Sequence, residues 1–508
     1  MDRTEATPPN SAKQSSLPVD ASARGAARIL LWAAIAAVPL ELLLRAVPWG
    51  VNLPLAAAIG AGTLLALTGR RDARFTGRAG LAAVLVALAA IVVWRSESML
   101  WLAVVVSMVA TIAVMLLPDA RWLRHGDLLA TTFRAAGGVL QTLAGPLRLL
   151  LRDIDWNAER AQGRGSFAHL RGLAWAVPVV LPFLLLFAEA DPAFAAITLD
   201  LVDLPRLASH VVLWGALAWL TVGGLGAAQL PWPHDLEVRV RMSVREATWV
   251  LGTLAVVFDV FVALQVRWFF GGEALVREMT GLTYADYARR GFFELVIVAA
   301  LLLVVLVLAD WLTRDAERAE RRNLRLLSSL LLGLLGVVLA SALLRMRLYI
   351  GEFGLTELRF FTTGFMLWLV LVFGWYALTV LREERERFVG GVYVSGMAAV
   401  LTLAALNPIA RVAEFNVQRA VETGRYDVDY ALSLGRDAVP VLVDAIDVMP
   451  PEHRCPLVVG LAKRAEREPL EAGWRSWNWS RDRAHHVLSE SVARFEEMCG
   501  PIPPGASR

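Results

Sequence analysis

Cysteine is scarce in this chain: Cys455 and Cys499 are the only 2 in 508 residues, and both lie near the C-terminal end. That excludes a disulfide-dense scaffold and any Cys-rich metal site; no CxxC pair occurs. Lysine is scarcer still in relation to arginine. Of 50 Lys+Arg, only Lys13 and Lys463 are lysines. There is no GxxxxGK phosphate loop, no HExxH and no GxSxG elbow. No catalytic constellation is present, and neither a cofactor nor a metal is expected. Charge is thin as well, at 19% of residues.

Apolar sequence is what the chain has in abundance. It is 57% hydrophobic with a mean hydropathy of +0.53, above the roughly 45–50% apolar content of a soluble domain. Apolar runs of about 17–22 residues recur, each long enough to cross a hydrocarbon core of roughly 30 Å as a helix. One aqueous core cannot hold so many uncharged runs. The fold class is therefore all-α: a polytopic transmembrane bundle of about 11 spans with a small helical C-terminal domain. The spans fall near 28–46, 51–68, 79–94, 99–117, 172–190, 207–230, 246–266, 291–312, 326–345, 361–381 and 389–406.

The charges fix an expected orientation. Arginines crowd alternate loops: Arg70, Arg71, Arg74 and Arg78; Arg121 and Arg124; Arg239, Arg241 and Arg245; Arg314 to Arg325; Arg382, Arg385 and Arg387. The intervening loops carry mostly single arginines such as Arg45, Arg95 and Arg206. By the positive-inside rule the crowded side is cytoplasmic. The N-terminus is then inside, and an odd span count puts the C-terminus outside. The basic pI of about 9.0 reflects these loops rather than a nucleic-acid surface, so the lipid bilayer is the expected partner and nucleic acid is not.

Five regions follow. Residues 1–27 read as a disordered cytoplasmic tail, rich in Pro, Ser, Ala and Thr. The first apolar run ends in Glu41 and Arg45 without a small-residue cleavage site and reads as an uncleaved anchor. Residues 28–117 hold four spans. Residues 118–171 are a cytoplasmic loop with an amphipathic surface helix; 133–156 is the stretch that also competes as a span. Only about 13 residues separate Arg134 from Arg148, and Gly137, Gly138 and Gly145-Pro146 are expected to break a spanning helix. Residues 172–406 form a core of about seven spans. Residues 407–508 form a soluble helical domain, with a short helix, a glycine turn and a second helix that carries Pro440 in its first turn.

Polar residues in and beside the spans are the candidate site. Asp259 lies deep in the seventh apolar run, where a carboxylate needs a partner or water. Two readings stand: an interhelical pair, or a relay or ligand contact, with Arg345 and Glu294 as the other intramembrane polar groups. TYADYARRGFFEL, residues 283–295, reads as an amphipathic helix capped by Thr283. In it Asp286, Arg290 and Glu294 form an i,i+4 ladder, with Tyr284, Tyr287 and Arg289 beside them. LLRMRLYIGEFGLTELRFF supplies Arg347, Tyr349, Glu352 and Arg359 at the same outer level. This cluster reads either as helix-end ion pairs and headgroup anchors or as a site for a small-molecule or ion ligand. Glu41 and Asp310, near span ends, read as solvated or snorkelling. Trp474, Trp477 and Trp479 read as core aromatics of the tail domain, with membrane docking as the second reading. Cys455 and Cys499, 44 apart, either pair in an oxidising compartment or stay free.

TYADYARRGFFEL, RLYIGEFGLTELR (347–359), LNPIARVAEFNVQRA (406–420), DYALSLGRDAVP (429–440) and WRSWNWSRDRA (474–484) together resemble a bacterial multi-pass membrane family described as a domain of unknown function. The resemblance covers roughly 170–485. Tyr284, Tyr287, Arg289, Arg290, Gly291, Arg347, Tyr349, Gly354, Leu355, Thr356 and Arg359 carry it. It implies a bacterial inner-membrane location and no reaction. Three function classes remain. One is a transport-like or sensing protein built on the outer polar cluster. Another is a scaffold that recruits a protein partner through 407–508. The last is a membrane enzyme acting on a lipid-linked substrate.

Overall fold

The structure is a computed structural model. It describes residues 19–67, 73–117, 128–149, 204–229, 241–280, 292–317, 319–467 and 473–500, with isolated helical positions between 180 and 190. Every regular element among the described residues is helical.

In chain order the helices are α1 (Val19–Leu44), α2 (Asn52–Leu67), α3 (Ala73–Trp94), α4 (Ser98–Met115), α5 (Leu128–Arg148) and α6 (Leu204–Gln229). They continue with α7 (Val244–Thr280), α8 (Phe292–Leu312), α9 (Arg321–Phe353), α10 (Glu357–Thr379) and α11 (Glu386–Leu406). The C-terminal set is α12 (Pro408–Thr423), α13 (Val428–Ser433), α14 (Val439–Asp444), α15 (Pro451–Arg467) and α16 (Trp479–Cys499).

Among the described residues, eight helices are long and apolar enough to cross a membrane: those of α3, α4 and α6 to α11. Only 17–44% of each spanning window is buried, and large apolar side chains such as Leu102, Val256, Leu301 and Leu371 are exposed. A helix that is apolar all round and covered on less than half its surface needs lipid for the remainder. The chain is an integral membrane protein. The first two apolar runs fold as the shorter helices Ile29–Leu44 and Asn52–Ala66. The run 172–190 lies outside the described residues except at single positions, so the structure carries eight full-length spans toward the expected 11.

The chain divides into two units, 1–41 with 138–230 and 42–137 with 231–508. In the first, Trp219 Nε1 of α6 donates to the Leu143 carbonyl of α5 at 2.9 Å. α5 is one continuous helix through Gly137 and Gly138, with Pro146 in its last turn. The expected break at the glycines does not occur: each costs only about 1 kcal/mol of helix propensity, and packing offsets that. Glu41 is also not solvated. It is 5% exposed, and its Oε1 lies 2.6 Å from His210 Nδ1.

In the second unit α9 is the central helix. It packs on α7, α8 and α10, while α11 packs on α10 and α4, and α3 lies between α2 and α4. Leu251, Ala299, Leu302, Leu306, Leu331, Leu335 and Met366 form the buried seam. Helices α12 to α16 enclose their own core of Ile409, Val412, Leu442, Ile446, Leu461, Leu488 and Phe495. Asn407, at φ 51°, separates the two: it ends α11 and its side chain caps α12 at Ala410 N. Asn tolerates this left-handed conformation better than most residues. Gly435 precedes a short turn, Arg436–Ala438, and α14 opens with Pro440 in its first turn. The sulfurs of Cys455 and Cys499 are bonded, with their Cα atoms 5.6 Å apart.

Candidate functional site at the junction of spans and C-terminal helices

Three of the family-like segments, 347–359, 406–420 and 429–440, meet where α9 turns into α10. The turn needs Gly354, which sits at φ 80°. A Cβ there would also lie 2.7 Å from Asn416 Oδ1. Asn416, on α12, accepts from Leu355 N at 2.9 Å and donates to Leu355 O at 2.7 Å. Arg419, one turn on, donates to the carbonyls of Glu352 and Gly351 at the end of α9. Arg359 donates to Gly354 O, and its guanidinium lies 3.9 Å over the Tyr349 ring. Two cations thus satisfy the last carbonyls of α9 and face the negative end of its dipole. Thr356 caps α10, and the Tyr430 hydroxyl of α13 accepts from Glu357 N at 2.9 Å.

A second contact buries charge. Arg95, just past α3, places Nη1 3.2 Å from Asp437 Oδ1, with side-chain exposures of 6% and 2%. Arg95 Nε donates to Ala404 O at 2.9 Å, and its guanidinium lies 4.1 Å from the Trp94 ring. Asp437 Oδ2 accepts from Ser96 N at 3.1 Å and Ser96 Oγ at 3.3 Å. Ser96 Oγ lies 3.1 Å from Ser480 Oγ. Asn478 donates to Val92 O and Arg95 O at 2.6 and 3.1 Å, while its own oxygen caps α16 at Arg481 N. Three stretches far apart in sequence (92–96, 404–437 and 478–480) close one dry polar cluster. Burial pulls the Arg95 guanidinium below its ordinary pKa, against the opposing pull of Asp437.

Glu97 belongs to the same cluster. It is 3% exposed and caps α4 by accepting from Met99 N and Leu100 N. Burial pushes its carboxyl up to about 7 against those two donors, and the facing carboxylates of Glu357 and Asp437 add to the rise.

The opposite ends of the same helices hold a different cluster. Asp310 of α8 pairs with Arg321 of α9 and, at 2.9 Å, with Arg385 before α11. Arg325 pairs with Glu383 at 2.5 Å. The buried Tyr376 hydroxyl donates to Leu306 O at 3.2 Å. Asp310, Arg321, Ser328 and Tyr376 line a cavity of about 20 Å³, room for one water molecule. The reading of Asp310 as solvated is thereby corrected, because two arginines flank it.

The expected site residues scatter. Tyr284, Asp286, Tyr287, Arg289 and Arg290 lie outside the described residues. Asp259 is exposed on the surface of α7, Glu294 is exposed in the first turn of α8, and Arg345 is buried in α9. Asp259 makes no ion pair among the described residues. Arg347 is exposed, Glu352 faces Arg425 at 3.7 Å, and Tyr349 and Arg359 stack as above. Arg95, 5% exposed, had read only as one of the single arginines of its side. Its partner lies 342 residues away, and nothing local to either residue announces the other. Trp474, Trp477 and Trp479 are 66%, 41% and 38% exposed, which corrects their reading as core aromatics.

A family model described as "Domain of unknown function (DUF4153)" matches residues 79–445. The match begins earlier than the resemblance read from the motifs and ends before WRSWNWSRDRA. It takes in both Arg95 and Asp437. No curated protein and no solved structure matches the chain.

Proposed function

The chain belongs to the DUF4153 family, and on that premise we propose that it is a bacterial inner-membrane sensing protein. In this reading its C-terminal helices form a rigid cap outside the membrane. The Arg95–Asp437 pair carries the proposal. A buried charge pair braced by further hydrogen bonds couples two bodies stiffly, because neither partner tolerates separation in a dry site. Helices α9 and α10 run from this junction to the Asp310 cluster, so a displacement of the cap has a direct mechanical route to the far ends of the spans. A 33-residue helix such as α9 is about 50 Å long. The orientation rests on two supports. Arginines crowd the Asp310 end, as cytoplasmic loops do. The Cys455–Cys499 bond suits an oxidising compartment on the cap side. The proposal keeps about 11 spans, with the run 172–190 among them.

Hydrogen exchange on the reconstituted protein tests the coupling. Asp437→Asn should speed exchange both at the junction and at 313–325 and 380–385. Changes confined to residues 407–500 would refute coupling. A reporter fused after Arg508, active in one compartment only, tests the orientation separately. If the protein is instead a scaffold, deleting 410–508 abolishes its phenotype, while Asp437→Asn, with the cap still present, leaves it intact.

A further inference from the structure

We infer that the WRSWNWS loop, 474–480, is an interfacial anchor that seats the C-terminal helices on the lipid headgroup layer. This loop and Arg481 just after it bond to the ends of spanning or apolar helices. Val51 N at the start of α2 donates to Trp477 O at 3.1 Å. Arg475 Nη1 donates to Leu42 O, in the last turn of α1, at 2.7 Å. Arg481 Nη2 donates to Trp49 O at 3.0 Å, and Asn478 holds the last turn of α3 through Val92 O. The approach is so close that a Cβ on Gly50 would lie 2.1 Å from Trp477 O. The loop is therefore fixed at the depth where α1, α2 and α3 end, and helix ends mark the edge of the hydrocarbon.

At that depth its indoles are not covered by protein. Trp474 is 66% exposed and Trp477 is 41% exposed; Leu42, Val47 and Trp94 beside them are exposed too. In water this would be a costly apolar patch. At a membrane interface, an amphipathic ring with one N–H is the favoured side chain. Arg483, 5.2 Å from the Trp479 ring, adds a cation where phosphates lie. The occupant this geometry fits is the glycerol and headgroup layer of the leaflet on the cap side. The inference needs only that the chain spans a membrane, and it holds whichever face of the membrane the cap occupies.

The test uses the full chain, labelled with 5-fluorotryptophan and reconstituted in nanodiscs of phosphatidylcholine and phosphatidylglycerol. Single Trp→Phe substitutions assign the resonances of Trp474, Trp477 and Trp479 among those of the chain's 18 tryptophans. A nitroxide on the lipid headgroup should relax Trp474 and Trp477 several-fold more strongly than a water-soluble gadolinium chelate does. The reverse order would place the rings in water and overturn the inference. Protection from both agents would mean that protein covers them, a second copy of the chain included, and would overturn it equally.

Discussion

The two ends of the α8–α11 bundle both hold arginine–carboxylate clusters, yet they are built on opposite principles. At the junction, Arg95 and Asp437 are 6% and 2% exposed, and backbone groups of Ala404 and Ser96 add to their shells. At the other end, Asp310, Arg321 and Arg385 are 17%, 12% and 24% exposed, and Arg325 is 39% exposed. A dry pair admits one arrangement, because each charge has only its partner to replace water. A half-wet network tolerates rearrangement, because water substitutes for a lost partner. The first suits a joint that must keep its register, the second a contact that can open.

The strongest way to break this contrast is Asp437→Ala. It leaves Arg95 buried and uncompensated, and should cost about 3–5 kcal/mol of stability, read from denaturant unfolding of the detergent-solubilised protein. The Arg95→Gln, Asp437→Ala pair should cost less than the two single losses added, since the double variant strands no charge. Fully additive losses would mean that the pair is not the coupling unit. Next in size is Cys455→Ser. The bond closes 44 residues of separation, between α15 and the last residue of α16, so its loss should cost roughly 2–4 kcal/mol. Unfolding of the C-terminal helices should move to lower denaturant. An unchanged midpoint under oxidising conditions would argue that these helices do not depend on the staple.

Much of the fold was legible because it is written in local pattern. Apolar runs located the eight helices of spanning length among the described residues, and Pro440 and Gly435 located the start of α14 and the turn before it. The junction was not legible. Arg95 sits among outer single arginines that resemble headgroup anchors, and only the docking of α12 to α16 brings Asp437 to it. Asp310 failed for the same reason. Its partners arrive from the next helix and from the loop before α11, so its own neighbourhood reads as a solvated helix end. The three tryptophans were read as core because an aromatic-rich stretch has the same composition whether its rings face protein or lipid. The lesson is specific to membrane chains: apolar pattern reports burial in either solvent, and polar contacts across the bundle decide the rest.

The pH response sharpens the comparison next. Glu97 has a folded-state carboxyl near 7 against an ordinary value of 4.5. The folded protein therefore holds this proton more tightly than the unfolded chain. The resulting stability is fully present below pH 4.5 and is lost as pH rises through 7, on the order of 3 kcal/mol at about 1.4 kcal/mol per pKa unit. Glu97→Gln, which keeps an acceptor for the α4 cap, should flatten the stability profile across that window. A slope unchanged in the variant would assign the titration to another group.

The smallest effect belongs to the wet end. Asp310→Asn removes a carboxylate shared by Arg321 and Arg385, but both guanidinium groups keep access to water. The loss should be about 1 kcal/mol, and it should shrink further in 1 M salt, where the Debye length falls to about 3 Å. The Asp437→Ala loss should hardly respond to salt, because ions do not reach a pair that is 2% exposed on the carboxylate side. Equal salt responses at the two ends would remove the distinction between a dry joint and a half-wet contact. A large, salt-insensitive loss at Asp310 would instead make that end a second fixed joint, and the spans between them a rigid strut rather than a coupling path.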